Sequence, residues 1–426
     1  MKKSVFNINN LNMAAENMEQ NELTLEALSE KWLDQYLTAR SSLFTAVSRD
    51  YLLKTLRNDS PFPVRNYLAR DADKVAACAS FYLRPLEIDR NFNVTAAIAC
   101  AIGTLPEYQR HGIGRKLWRY CEQELCGQAD AVVIYAKETG TGFKFYRAMG
   151  YEPLFFPRPL SLIPECVLDV IPGVATVPLR DATARVIAAD KLFRHCYGGN
   201  NGLMGSRPDS LLRWSRTSYF YDKEIAGATP QFSWLESPDG TLAAYVIWNG
   251  PMKKVGWKKD AVEIWEIACR KKCSARDLSA LLSAAGNAAA KSGVKLICWS
   301  SPEHFLLGKL KAAGFEEQPR HLAVLGKWLN PGGMLQAKLD RADTSKKWNA
   351  TIKGISGKFE IETPDFTIEL EASVLTRLLF GRISAAAALV SGLAGVYPAG
   401  MAEDAQKMLE NIFHPLDWGY LASEFI

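Results

Sequence analysis

The stretch IACAIGTLPEYQRHGIGRKLW, residues 98–118, constrains this chain more than any other. It reads as a strand running into the turn Gln109-Arg110-His111-Gly112-Ile113-Gly114, with a helix opening directly after it. Gly112 and Gly114 let the backbone approach a ligand closely. The free N–H groups at the helix start then form an anion site suited to a pyrophosphate, aided by the helix dipole. Arg110 and Arg115 add positive charge beside it. A dinucleotide-binding fingerprint fits less well. It needs G-x-G-x-x-G in a parallel unit, and here the preceding strands read as an antiparallel meander. A Walker A loop is excluded, because no Gly-Lys-Ser/Thr follows the glycines. On spacing alone, a purely structural turn is the remaining alternative.

The surrounding pattern places this turn in a mixed α/β domain. Residues 23–57 have Leu, Trp, Tyr and Phe at three- and four-residue spacing, which predicts a helix, and Ser60-Pro61-Phe62-Pro63 breaks it. Strands are expected at Val64–Ala69, Val75–Leu83, Thr95–Ile102 and Ala131–Ala136. Helices are expected from about Gly112 to Leu125 and near Thr141–Met149, the latter closed by Gly150. A last strand falls within Pro153–Pro159, and Pro164–Pro178 reads as a linker.

The same β-β-β-α-β-α order recurs from about Leu179. Phe232–Leu235 and Leu242–Asn249 form a hairpin around Ser237-Pro238-Asp239-Gly240. Strand Ala261–Cys269, helix Ser274–Ser292, strand Val294–Ser300 and helix Phe305–Ala313 follow. Asn330-Pro331-Gly332-Gly333 marks a boundary. Beyond it, strands are expected at Trp348–Ile355, Gly357–Glu362 and Phe366–Glu371, and helices at Ser373–Leu379, Ser384–Gly392 and Ala402–Ile412. The chain of 426 residues thus divides into 1–160, 161–330 and 331–426.

Composition narrows the function classes. Apolar residues make up 48% and charged residues 23%, an ordinary globular balance. A net charge of +5 without a long Lys/Arg run does not call for nucleic acid. The densest basic cluster, Arg270-Lys271-Lys272, reads as a solvated face. Nine cysteines, an odd number in a long chain, argue against a secreted disulfide framework. Cys269 and Cys273 lack a second pair at ligand spacing, so no metal is expected. The start MKKSVFNINN has no apolar run of signal-peptide length, and Ile383–Tyr397 is too short and glycine-broken to cross a bilayer. A cytoplasmic protein without membrane contact is the expectation.

LPEYQRHGIGRKL resembles motif A of the GNAT acetyltransferases, Gln/Arg-x-x-Gly-x-Gly/Ala. Phe145-Tyr146-Arg147-Ala148-Met149-Gly150-Tyr151 is similar to that family's F-Y-x-x-x-G-F/Y element. The resemblance implies that the backbone of Ile102, Gly103 and Thr104 binds the pantetheine arm of acetyl-CoA and polarises its thioester carbonyl. It implies that Arg110, His111, Gly112, Ile113, Gly114 and Arg115 hold the pyrophosphate, with Thr141 and Gly142 near the cofactor. Tyr146 would donate a proton to the departing thiolate, a role for which a phenol holding its proton at neutral pH is chemically suited.

The whole layout resembles the enhanced intracellular survival (Eis) acetyltransferases: a GNAT domain, a degenerate second GNAT domain, and a C-terminal domain like sterol carrier protein 2. LTRLLFGRISAAAALVSGLAGV and AEDAQKMLENIF look like the helical half of that last domain. Where motif A would recur, the second unit reads Cys269-Arg270-Lys271-Lys272-Cys273-Ser274-Ala275-Arg276, without glycine, so acetyl-CoA binding is not expected there. The resemblance further implies a homo-oligomer, with a hexamer as one form, and a C-terminal carboxylate, here that of Ile426, acting as base, with Glu424 as a fallback. The expected reaction is acetyl transfer to a primary amine: a lysine side chain, a polyamine or an aminoglycoside-like compound. A longer-chain acyl-CoA N-acyltransferase and a non-catalytic lipid-binding protein are the alternatives.

Overall fold

The computed structural model describes residues 23–44, 49–56, 62–89, 92–163, 173–197, 229–250, 261–270, 272–300, 305–342, 350–355 and 357–413. Its first half is organised by β1 (Thr24–Ala27), β2 (Val64–Asp71), β3 (Lys74–Asp89), β4 (Phe92–Thr104), β5 (Ala131–Lys137) and β6 (Glu152–Phe155). The helices here are α1 (Leu33–Leu43), α2 (Arg49–Leu56), α3 (Ile113–Leu125) and α4 (Thr141–Ala148). The second half holds β7 (Arg158–Leu162), β8 (Val174–Pro178), α5 (Thr183–Tyr197), β9 (Gln231–Glu236), β10 (Leu242–Trp248), β11 (Ala261–Cys269), α6 (Ala275–Lys291), β12 (Lys295–Ser300), α7 (Phe305–Ala312), β13 (Glu316–Glu317) and β14 (Leu322–Trp328).

Two seven-stranded sheets result, ordered β1-β2-β3-β4-β5-β14-β6 and β13-β7-β12-β11-β10-β9-β8. Written from β8, the second order is that of the first, strand for strand. In each sheet one pair is parallel, β4 with β5 and β11 with β12, and the other pairs are antiparallel. The sixth strand of each sheet comes from the other half of the chain. β14 lies between β5 and β6, and β7 lies between β12 and β13. This reciprocal exchange ties the two sheets together by backbone hydrogen bonds.

The third segment carries α8 (Pro331–Arg341), an antiparallel sheet of β15 (Thr351–Ile355), β16 (Lys358–Glu362), β17 (Thr367–Glu371) and β18 (Ala394–Tyr397), and helices α9 (Ala372–Leu379), α10 (Ala385–Val390) and α11 (Ala402–Ile412). The architecture is mixed α/β throughout, as the sequence pattern implies.

The long strand β3 shows how the faces of the first sheet are assigned. Successive side chains alternate between faces. Ala77, Ala79 and Phe81 join one core with Ile113, Leu117, Trp118 and Cys121 of α3. Cys78 faces a small core with Trp32, Tyr36 and Ala39 of the α1 region. Further along that same face, Leu86 and Ile88 pack on the third segment, against Leu335, Leu375, Leu378 and Phe380. The third segment therefore docks directly on the first sheet. Phe380 stacks on Trp328 with ring centroids 4.4 Å apart. Gly326 makes room for it, since a Cβ there would lie 2.8 Å from Phe380 Cζ and 2.7 Å from Leu154 Cδ1.

Two local expectations are corrected. The helix expected over 23–57 begins with a strand, because Thr24–Ala27 pairs along the edge of β2, supported by an Arg70–Glu26 ion pair. Helix then forms only at Leu33–Leu43 and Arg49–Leu56. Within the expected linker, Val174–Pro178 is a strand that pairs with β9. Asn330-Pro331 is the capped start of α8: Asn330 Oδ1 accepts from the Gly333 N–H at 2.9 Å, and proline occupies the first turn.

Candidate active site

The first sheet opens where β4 meets β5. Their parallel pairing covers only Ala96–Ala99 against Ala131–Ile134, and β4 then continues to Thr104 without β5 beside it. On its other side β4 stays paired to β3, with an irregularity in this stretch. Ser80 faces Cys100 and Cys78 faces Gly103, so Ala101 and Ile102 together oppose Ala79 alone. This is a β-bulge. Ala101 has a positive φ of 49°, a conformation that costs a residue with a Cβ. The bulge re-aims the backbone of Ile102, Gly103 and Thr104 at the mouth of the split.

The glycine turn lies directly beyond. Gln109 Nε2 donates to the Thr104 carbonyl at 3.0 Å, fastening the turn to the end of β4. Arg110 has φ 68° and Gly112 φ 75°, with His111 on the negative side between them. Alternation of this kind curls successive N–H groups into an anion-binding nest. Gly112 is the N-cap of α3, which has no side-chain cap and no acidic residue in its first turn. A Cβ on Gly112 would meet nothing within 4 Å, so that position faces open space. Gly114 has a packing reason as well: its Cβ would come 3.1 Å from Thr104 Oγ1. Arg110, His111 and Arg115 are exposed and Ile113 is buried, anchoring the turn from below. The structure thus brings Ile102–Thr104 and Arg110–Arg115 to one end of the sheet.

Helix α4 follows β5. Thr141 and Gly142 form its first turn, Thr141 exposed and Gly142 half-buried. One turn further, Tyr146 is 9% exposed. Its ring packs against Trp118 of α3 at 5.0 Å, against Phe145 at 5.2 Å and against Tyr151 at 5.9 Å. Burial alone raises its pKa well above the ordinary phenol value. Its hydroxyl makes no hydrogen bond among the described residues, whereas the neighbouring Tyr151 hydroxyl donates to Glu122 Oε1 at 2.8 Å. Ile426 and Glu424 lie outside the described residues. A cavity of about 410 Å³ lined by Ser29, Glu30, Asn66, Glu124 and Gln128 sits at the β1–β2 edge, away from the split.

The second sheet repeats the split and a strand irregularity, but not the glycine turn or the open helix start. β11 and β12 pair only over Ala261–Ile264 and Lys295–Cys298, and β11 runs on to Cys269 beside β10 with an irregularity of its own, since Trp248 faces Ile264 and Ile247 faces Glu266, leaving Trp265 unmatched. The helix that follows is already capped. Ser274 Oγ accepts from the Asp277 N–H at 3.1 Å, and Asp277 Oδ2 accepts from the Ser274 N–H at 2.8 Å. A carboxylate there occupies the N–H groups and repels an anion.

Sequence reasoning missed the bulge at Ala101 and the buried Arg40 of α1. The bulge leaves no sequence signal, because alanine has no preference for that conformation. Arg40 left one: it stands four residues after Tyr36, on the buried stripe of the helix.

Residues 64–153 match the family described as an acetyltransferase (GNAT) domain, a span that includes the split, the glycine turn and Tyr146. Among solved structures, the chain is similar to a probable N-acyltransferase of unknown function from Enterococcus faecalis, with 13% identity and a TM-score of 0.64 over 94% of this chain and 98% of that one. It is similar to a GCN5-related N-acetyltransferase from Kribbella flavida, with 15% identity and a TM-score of 0.60 over 93% and 99%. It is also similar to Eis1 from Mycobacterium abscessus, with 13% identity and a TM-score of 0.58 over 94% and 99%. None of the curated proteins matches the sequence. At these identities the likeness is one of fold, and it extends over nearly the whole chain. The chain carries a GNAT acetyltransferase domain, and the class of enzyme that domain defines is a transferase.

Proposed function

We propose that this chain transfers an acetyl group from acetyl-CoA to a primary amine, of the lysine, polyamine or aminoglycoside-like classes, by direct attack. The observation that carries the reading is the coincidence of three features at one end of the first sheet: the β4–β5 split, the bulge at Ala101–Ile102, and an uncapped helix start beside Arg110 and Arg115. Acetyl-CoA would supply the thioester. The backbone of Ile102, Gly103 and Thr104 would hold the pantetheine arm and polarise the carbonyl. Arg110 to Arg115 would hold the pyrophosphate, and Thr141 and Gly142 would border it. The amine nitrogen attacks the carbonyl carbon and the C–S bond breaks. Tyr146 gives its hydroxyl proton to the leaving sulfur, and the carboxylate of Ile426 takes the proton lost by the amine.

In this reading residues 1–160 are catalytic, 161–330 form a degenerate GNAT-like scaffold, and 331–426 are a domain like sterol carrier protein 2. Resemblance to Eis-type proteins supports a cytoplasmic homo-oligomer, with a hexamer as one form. No helix among the described residues is long and apolar enough to cross a membrane. The test of the base is thiol release from acetyl-CoA with a panel of amines, for the wild type and a chain lacking Phe425-Ile426. Turnover that collapses while acetyl-CoA still binds supports the tail carboxylate. Unchanged turnover removes Ile426 from the mechanism.

A further inference from the structure

Arg40 is a buried cation without a counter-ion among the described residues. It lies on α1 and is 5% exposed. Nη1 donates to Ser80 Oγ at 3.2 Å, Nε has no partner, and Arg40 forms no ion pair among the described residues. Ser80 is otherwise engaged, bonded to the Tyr36 hydroxyl at 2.7 Å and donating to Asn66 Oδ1 at 2.7 Å. The other groups that feel the charge are the phenols of Tyr36 and Tyr82 and the thiols of Cys78 and Cys100. Burial raises the Tyr36 phenol and pushes the Cys78 thiol up to about 11, so neither is an anion at neutral pH. A guanidinium keeps its charge, and burying one unpaired is strongly destabilising. A fold that keeps such a charge has a use for it.

The placement says which use. Ser80 stands opposite Cys100, and the next two residues of β4 are the bulge. Leu43, on the same helix three residues beyond Arg40, covers Gly103, where a Cβ would come 2.8 Å from Leu43 Cδ1. Helix α1 therefore brackets the bulge, with Arg40 about 7 Å along the strand from Ile102 by strand rise. Ser80 shares the face of Cys78, opposite the Ala79 and Phe81 face that packs on α3. The guanidinium and the glycine turn thus lie on opposite sides of the sheet. A molecule reaching the thioester from the α1 side meets Arg40.

We propose that Arg40 binds a carboxylate on the acceptor, so that the acceptor is an amine that also carries a carboxylate, with several bonds between the two. This rests on the acetyl-transfer reading above and narrows its acceptor from polyamines and aminoglycoside-like compounds to amino acids.

The test compares lysine, lysinamide and cadaverine, which share the terminal amine and differ at the carboxylate. It uses the full chain as wild type, Arg40→Met and Arg40→Lys, reading kcat/KM, acetyl-CoA affinity and Tm. The wild type should prefer lysine over the other two by about tenfold or more, the scale of one charge-assisted contact. Arg40→Met should erase the preference while acetyl-CoA affinity is unchanged and Tm is equal or higher, because an unpaired buried charge has gone. Arg40→Lys should restore part of the preference. Equal use of all three acceptors by the wild type overturns the proposal, and so does an Arg40→Met chain that does not fold. If the wild type binds no acetyl-CoA, the transfer reading fails instead. The carboxylate site is then judged by whether lysine, but not cadaverine, raises the Tm of the wild type and not of Arg40→Met.

Discussion

Replacing Tyr146 by Phe separates chemistry from packing at one atom. The ring is held by Trp118, Phe145 and Tyr151 at centroid distances of 5.0, 5.2 and 5.9 Å, and phenylalanine keeps all three contacts. Such ring pairs are worth about 0.5–1.5 kcal/mol each beyond their burial, so their retention preserves the core. The hydroxyl has no hydrogen bond among the described residues, so its removal leaves no orphaned partner. Stability should change by less than about 0.5 kcal/mol. A general acid contributes roughly 10²–10⁴-fold, which is about 2.7–5.5 kcal/mol of barrier. Thiol release with saturating amine should therefore fall by about 100-fold or more with Tm unchanged. Burial raises the Tyr146 pKa, so the acid stays protonated and the wild-type rate should not decline from its ionisation below about pH 10. A thioester whose leaving thiol is much more acidic needs no proton donor and should rescue the variant. A rate within about threefold of wild type, or an equal loss with both thioesters, would refute the acid role.

Two further outcomes follow from the packing. Gly326→Ala places a methyl 2.7–2.9 Å from Leu154 and Phe380, so denaturant unfolding should show a loss of about 1–3 kcal/mol, felt where the third segment docks. Burial raises the pKa of Tyr67 to about 12, Cys78 to about 11 and Cys298 to about 12. Raised values mean that the folded chain holds these protons after the unfolded chain has lost them. Stability is then fully present below about pH 9 and falls as pH rises through 9–12, by up to about 1.4 kcal/mol per pH unit for each fully buried group, which chemical denaturation across that range would register. A midpoint flat from pH 8 to 11 would contradict it.

The legible part of this chain was what local chemistry dictates. The turn at Gln109–Gly114 announces itself because glycine takes the positive φ of Gly112 without the cost a Cβ brings, and makes room for the 3.1 Å approach of Gly114 to Thr104. Strands β2 to β5 and helices α3 and α4 follow from their own periodicity and punctuation. What local pattern does not encode is the partner. Thr24–Ala27 carries helix-forming residues at helical spacing, yet the edge of β2 offers backbone bonds that outweigh propensity. Nothing in Arg158–Leu162 or Leu322–Trp328 says that each completes the sheet of the other half. The bulge at Ala101 is imposed by tertiary pairing on a residue that does not ask for it. Arg40 could have been found, as a charge on the buried stripe of an otherwise apolar helix face.

The split beside the bulge and the uncapped α3 is where acetyl-CoA would bind. Calorimetric titration of the full chain with acetyl-CoA, for the wild type and Gly112→Ala, tests it most directly. At Gly112 the fold itself leaves room for a methyl, and the cost of a left-handed alanine is about 1–2 kcal/mol, so the variant should stay folded. Saturable one-site binding to the wild type is expected, with a loss of about tenfold or more in affinity for the variant, whose methyl would intrude on the pyrophosphate. Equal affinity would move the cofactor away from this turn, and no binding by the wild type would contradict the account.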